Sequence, residues 1–231
     1  MGELKNSVQK TWRYEYKFVV YNFSLEELKL LVLGHPKSFI ERYPVRSVNN
    51  IYFDTNDFSS YHDSLSGCSR RTKLRFRWYG DSMSEVKGFL ELKERMGPVL
   101  SKTTQKIEDK INLHEFDWAK FESTLNERLH GRLRIEFLQS CVPVLINNYR
   151  RCYYETFCGK YRITLDSNLK IFDQRFYNRP NLSFQEQAQN CVILEIKAQV
   201  KDGVNLNEFT NFFPFRLTQN SKYVSGVTGL I

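Results

Sequence analysis

The chain has 231 residues, 41 % of them hydrophobic, which bounds it to one domain, residues 1–231, with enough apolar material for a core. Its 34 Lys and Arg against 26 Asp and Glu leave a net charge of +8, which favours polyanionic partners over acidic or neutral surfaces. No run approaches the ~20 apolar residues of a membrane-spanning helix, and the polar opening Met1 to Asn6 lacks both a secretory apolar segment and a myristoylation pattern. A soluble, cytoplasmic protein with no membrane segment is expected.

Taken in chain order, Arg13 to Phe18 alternates charged and aromatic residues as a strand does. Ser24-Leu-Glu-Glu27 is a capping box that opens a helix through Leu28, Leu31 and Val32, stopped by Gly34 and Pro36. His62 falls in a Tyr-His-Asp stretch that reads as a loop. Strand-like runs follow around Lys73–Trp78 and Leu90–Lys93. A second helix is predicted to open at Asn112–Glu115, with Phe116, Leu125 and Leu129 as its apolar positions and Gly131 as its end. Further strands are expected at Tyr149–Arg151, Tyr161–Asp166 and Leu194–Lys197, and a short helix at Leu206–Phe213 before Pro214. The five scattered cysteines form no C-x-x-C pair, which predicts reduced, mostly buried thiols rather than a zinc site or disulfides. None of the four histidines is placed for a triad or a metal.

Side chains on a strand point to alternate faces. Sorted this way, the charged faces are Arg13, Glu15 and Lys17; Lys73, Arg75 and Arg77; Glu91 and Lys93; Arg151; Arg162, Thr164 and Asp166; and Glu195 and Lys197. Any one such strand fits an antiparallel sheet with one face in water. Six of them, with Leu, Ile, Phe, Trp and Tyr on the opposite faces, fit a closed barrel whose charged faces converge inside and whose apolar faces are covered by helices. Two cations spaced two residues apart on a strand, roughly 7 Å, repel by about 0.6 kcal/mol in water and about 2.4 kcal/mol at an effective dielectric of 20. An enclosed basic bore is therefore costly when empty. Alternating Glu-x-Lys triplets offset part of the cost, and an anionic ligand such as a triphosphate would offset the rest.

Eight segments, Arg13-Tyr-Glu-Tyr-Lys17, Ser47-Val-Asn-Asn-Ile-Tyr-Phe-Asp-Thr55, Lys73-Leu-Arg-Phe-Arg-Trp-Tyr-Gly80, Phe89-Leu-Glu-Leu-Lys93, Tyr149-Arg-Arg151, Arg162-Ile-Thr-Leu-Asp166, Ile193-Leu-Glu-Ile-Lys197 and Ser221-Lys-Tyr-Val-Ser-Gly226, occur in order over residues 12 to 226. Together they resemble the VTC-type polyphosphate polymerase domain of the triphosphate tunnel metalloenzymes. The resemblance implies an α+β fold: an eight-stranded antiparallel closed β-barrel with helices packed outside. It implies a nucleoside triphosphate, Mn2+ or Mg2+, and polyphosphate or pyrophosphate as ligands. By motif, Lys17, Arg75, Arg77, Lys93, Arg151, Arg162, Lys197 and Lys222 would grip phosphate, with Lys102 and Ser221 beside them. Arg75, Arg77, Lys197 and Glu195 would carry catalysis, and Glu195 would be the principal metal ligand. Glu15 and Glu91 either help hold metal or only balance the lysines. Two departures weaken the anionic grip: Ser64 stands where the family usually has a basic residue, and Thr103 and Thr104 stand where a basic pair often follows Ser101-Lys102. No attached inositol-phosphate-sensing or membrane domain is expected.

The expected reaction is transfer of the terminal phosphoryl group of a nucleoside triphosphate to a growing polyphosphate chain. A triphosphatase or tripolyphosphatase of the same fold and a non-catalytic polyphosphate-binding module are the alternatives. Nucleic acid is not an expected partner, because aromatic residues that would stack bases alternate onto the face opposite the cations.

Overall fold

The computed structural model describes residues 12–183, 185–186, 190–200 and 210–230. The elements in order are β1 (Arg13–Val20), α1 (Leu25–Leu33), β2 (Phe39–Asp54), α2 (Ser59–Leu65), β3 (Arg70–Tyr79), β4 (Val86–Met96), β5 (Val99–Ile111), α3 (Trp118–Arg128), α4 (Gly131–Gln139), β6 (Val142–Thr156), β7 (Tyr161–Asp173), β8 (Gln185–Glu186), β9 (Val192–Gln199) and α5 (Lys222–Leu230). Among them no helix is long and apolar enough to cross a membrane.

Eight strands pair antiparallel in the order β6-β2-β3-β4-β5-β1-β9-β7, and β7 pairs back onto β6, so the sheet closes into a ring. The two-residue β8 adds only to β7. The seam between β1 and β5 is short, two residue pairs at Arg13↔Leu100 and Tyr14↔Val99. Deeper along β1 the chain near Thr218 takes over, its N–H donating to the Lys17 carbonyl at 2.9 Å.

The outer face carries two apolar cores. Helices α3 and α4 cover β2 to β5, with Phe121, Leu125, Leu133 and Phe137 against Ile51, Phe53, Phe76, Trp78 and Leu92. Helix α1 covers β1, β6, β7 and β9, with Leu28 and Val32 against Phe18, Cys152, Ile163, Leu165, Leu194 and Ile196. The predicted α1 forms as its capping box dictates: Glu27 N–H donates to Ser24 Oγ at 3.2 Å and Ser24 N–H to Glu27 Oε2 at 2.7 Å.

Several local readings are corrected. The second helix starts at Trp118, not Asn112. The Asn112 carbonyl accepts from Glu115 and Phe116 as a turn, and extended Asp117 supplies the cap, accepting from Lys120 N–H at 2.7 Å. Gly131 does not end the helical region. At φ +54° it turns the chain into α4, a helix whose Leu133 and Phe137 complete the outer core. The His62 stretch is the helix α2, whose first turn is tied to buried Asp54: Ser60 and Tyr61 N–H groups donate to its carboxylate at 2.9 and 3.1 Å. The free cysteines are not mostly buried either; Cys152 is, but Cys68 and Cys158 are exposed. The predicted helix at Leu206–Phe213 lies outside the described residues up to position 209.

Helix α5 packs at one end of the ring, on the inner side of β2 and β6. Tyr223 stacks on Tyr52 with ring centres 5.3 Å apart, and its hydroxyl donates to Asp54. The fit at Gly226 is close: a Cβ would lie 2.8 Å from Leu145 Cδ2, a methyl that can shift aside.

Candidate functional site

The ring surrounds a cavity of about 830 Å³. Strand alternation puts into it Arg13, Glu15 and Lys17 of β1; Arg71, Lys73, Arg75 and Arg77 of β3; Lys93 and Arg95 of β4; Lys102 of β5; Arg151 of β6; Arg162 and Thr164 of β7; and Glu195 and Lys197 of β9. The start of α5 adds Ser221 and Lys222. Fourteen Lys or Arg side chains line the wall against three Glu, so the bore carries a large positive surplus. All ten sequence-predicted phosphate ligands lie on it. Arg162 stands at the rim, with its side chain 62 % exposed and bound to Glu155 at 2.7 Å.

The acids behind these cations form one node at Glu91 and one linked group of Asp166, Glu195 and Glu15. Glu91 is 3 % exposed and is held by Arg75 at 2.6 Å, Lys102 at 2.8 Å and Arg77 at 3.7 Å. Asp166 receives Arg151 at 2.5 Å and the Lys222 ammonium. Glu195 lies 2.8 Å from Lys197, 3.7 Å from Lys17 and 3.8 Å from Arg151. Glu15 receives Arg13 at 2.6 Å. Burial alone would raise these carboxyl pKa values. For Glu195 the fields of Lys197, Lys17, Lys93 and Arg151 outweigh burial and hold the group well below the carboxylate range, and for Glu15 Lys93, Lys197 and Arg13 hold it at about 2. All four acids are therefore ionised at neutral pH.

Two lysines of the same wall are shifted downward as well, toward the neutral form. Burial, then the neighbouring charges of Lys17, Arg71 and Arg95, lower Lys73 to about 7. Burial lowers Lys93 well below the lysine range. The register explains the crowding: Lys73, Lys93 and Lys102 stand directly opposite one another on three adjacent strands, an arrangement that destabilises a sheet. Lys102 is drawn to Glu91 and Lys73 to Ser221 Oγ at 2.8 Å, while the Lys93 ammonium makes no hydrogen bond among the described residues.

No cluster of three or more His, Cys, Asp or Glu residues occurs among the described residues. The donors that fit a hard divalent cation are Glu195 and Glu15, whose carboxylates feel one another's charge. Beside them Thr164, directly opposite Glu195 in the β7–β9 ladder, keeps a buried hydroxyl with no partner. One or two carboxylates, with the remaining positions left to substrate phosphate and water, is how Mg2+ is commonly held. Glu91 has its oxygens committed to Arg75 and Lys102.

Sequence reasoning missed part of the wall. Aromatic residues are not confined to the outer face: Tyr43, Tyr52, Tyr79, Tyr149 and Tyr153 all line the bore. Tyr52 accepts from Arg75 at 3.2 Å and Tyr149 from Arg77 at 3.3 Å, and Asn50 fixes Arg77 Nε at 2.8 Å while bonding Asn147. The period-two run Tyr149-x-Arg151-x-Tyr153 carried this signal. Lys73 was on the charged face but not among the chosen ligands. Ser64 lines the cavity from α2, whereas Thr103 and Thr104 are not among the residues that line it; Thr104 stands opposite Glu91 on β5.

A ring of eight antiparallel strands around an enclosed, cation-lined bore with embedded carboxylates defines the structural class. The chain belongs to the VTC domain family, whose model matches residues 12–231. Solved structures of similar fold include an adenylate cyclase candidate from Vibrio parahaemolyticus, 12 % identical with a TM-score of 0.54 over 93 % of this chain and 97 % of that one. A protein from Pyrococcus horikoshii OT3 is 15 % identical with a TM-score of 0.51, covering 95 % and 99 %. No curated protein matches the chain.

Proposed function

We propose that this chain is a metal-dependent phosphotransferase of the triphosphate tunnel type that builds polyphosphate from a nucleoside triphosphate, ATP in the first instance. The observation that carries the reading is the enclosed surplus of cations around Glu195, a wall that repels itself until a polyanion fills it. Family membership supports the same substrate class.

In this reading Arg75 and Arg77, fixed by Glu91, Asn50, Tyr52 and Tyr149, clamp the transferred group and its neighbour in the chain. Lys197 extends from β9, four strands round the ring from β3, and Arg151 from β6, two strands round. Glu195, with Glu15, would hold Mn2+ or Mg2+, which when bound neutralises phosphate oxygens and orients the triphosphate. A terminal oxygen of the acceptor chain attacks the γ-phosphorus, a new P–O–P bond forms, the β–γ bridge breaks, and the nucleoside diphosphate leaves with the electron pair. The acceptor is largely ionised at neutral pH, since a second phosphate pKa lies near 6. No base is needed, and none of the four histidines lines the bore.

The test is incubation of the purified protein with ATP and manganese, followed by gel analysis. Long polymer that a polyphosphatase degrades is expected. Phosphate release with no polymer would replace the polymerase reading with a hydrolase, and binding with no turnover would leave a binding module. In Glu195→Gln the manganese requirement should rise more than the nucleotide requirement, and an unaltered metal titration would remove Glu195 as a ligand.

A further inference from the structure

The rim of the bore carries a built aromatic lip. Along β2 the ladder to β6 runs Arg46↔Arg151 and then Tyr43↔Tyr153, three residues on one strand against two on the other. Without that bulge at Pro44 and Val45, Tyr43 and Arg46 would fall on opposite faces. With it, both face inward. A second irregularity follows between Tyr43 and Glu41, which returns Glu41 to the outer side opposite Tyr154. Two bulges in succession thus turn a single tyrosine into the mouth.

Tyr43 and Tyr153 meet edge to face, with ring centres 5.7 Å apart at 89°. The Arg46 guanidinium lies 4.5 Å from the first ring and 5.8 Å from the second, and Arg42 lies 5.6 Å from Tyr43. Tyr79 lines the same rim from β3. Tyr43 and Tyr79 keep 43 % and 44 % of their surface exposed, a large apolar area left open at a charged mouth. One step inward the Arg151 guanidinium sits 5.9 Å from Tyr153 and 5.2 Å from Tyr149, so aromatic rings and the first deep arginine form one continuous ladder.

We propose that Tyr43, Tyr153 and Tyr79 hold the base of a nucleoside triphosphate whose phosphates lie inward on Arg151 and Arg77. This rests on the triphosphate reading above and adds a base subsite to it. Stacking on an aromatic or guanidinium face contributes about 1–3 kcal/mol per base and tolerates any base. The lip therefore selects nucleotides over inorganic chains without choosing strongly among bases. Phosphate affinity comes from the bore and base affinity from the rim, so the two are separable.

The experiment is calorimetric binding of ATP and of inorganic tripolyphosphate to the wild-type protein, Tyr43→Ala, Tyr43→Phe and Tyr153→Leu. Tyr43→Ala and Tyr153→Leu should weaken ATP about 5- to 150-fold, Tyr43→Phe should bind ATP like the wild type, and tripolyphosphate affinity should stay within about twofold throughout. Tyr43 is largely exposed, so its variants report even if Tyr153→Leu fails to fold. Equal losses for both ligands, or no loss for ATP, would overturn the base subsite while leaving the bore intact. Failure of both ligands to bind the wild type would overturn the triphosphate reading and the subsite with it.

Discussion

Lys73 offers a direct measure of whether the bore is built for an anion. Its ammonium titrates at about 7 because it is buried among Lys17, Arg71 and Arg95, so at pH 8 only about a tenth of the molecules carry the charge. A phosphate oxygen about 4 Å away contributes about 4 kcal/mol at an effective dielectric of 20, equivalent to about three pH units. Binding at pH 8 should therefore charge Lys73 and take up about 0.9 proton. The bound state holds more protons than the free state, so affinity rises as pH falls, with a limiting slope near one decade per pH unit between about 7 and 10. The assay is calorimetry of tripolyphosphate in buffers of different ionisation heat, comparing wild type with Lys73→Met. The ligand's own ionisation is common to both and drops out of the difference. The same residue sets a stability term. Its folded pKa lies below the ordinary lysine value, so its cost is complete below about pH 7 and vanishes above about pH 10, and ligand-free Lys73→Met should be more stable than wild type by a few kcal/mol at pH 6. Identical proton uptake in the two proteins would refute the reasoning.

Glu91→Gln strips the ion partner from buried Arg75 and from Lys102, and should destabilise the fold by about 3–5 kcal/mol in denaturant melts; a stability within 1 kcal/mol of wild type would show the node is dispensable. Gly88→Ala would put a Cβ 2.5 Å from Phe76 Cζ and 2.6 Å from the Arg77 carbonyl, so it should cost about 1–3 kcal/mol. Gly226→Ala meets only the flexible end of Leu145 and should cost less; the reverse order in thermal melts would contradict the packing described. Ser64→Lys adds a cation to the wall from α2 and should tighten tripolyphosphate about tenfold or more, with a steeper salt dependence. Unchanged binding would mean that Ser64 does not face the ligand.

The charged and apolar faces of β1, β3, β4, β7 and β9 were legible in the sequence because strand geometry has period two and each face has one solvent. Residue order alone therefore put Arg75 with Arg77, Glu195 with Lys197, Glu15 with Lys17 and Glu91 with Lys93 on one face of each strand. The capping box of α1 was legible for the same local reason. Closure was not local: it depends on β7 returning to β6 and on a β1–β5 seam of two residue pairs. The inward tyrosines were hidden because Tyr packs equally well in an apolar core or against a guanidinium, and only the enclosing wall decides which. Tyr43 faces the bore through a bulge that breaks the very alternation used to read the strands. Which carboxylates stay open was likewise decided by tertiary distances. Glu91 and Glu195 each open a Glu-x-Lys triplet and each neighbours three cations, yet both Glu91 oxygens accept hydrogen bonds from Arg75 and Lys102, while Glu195 lies on the cavity wall opposite an unpartnered threonine hydroxyl.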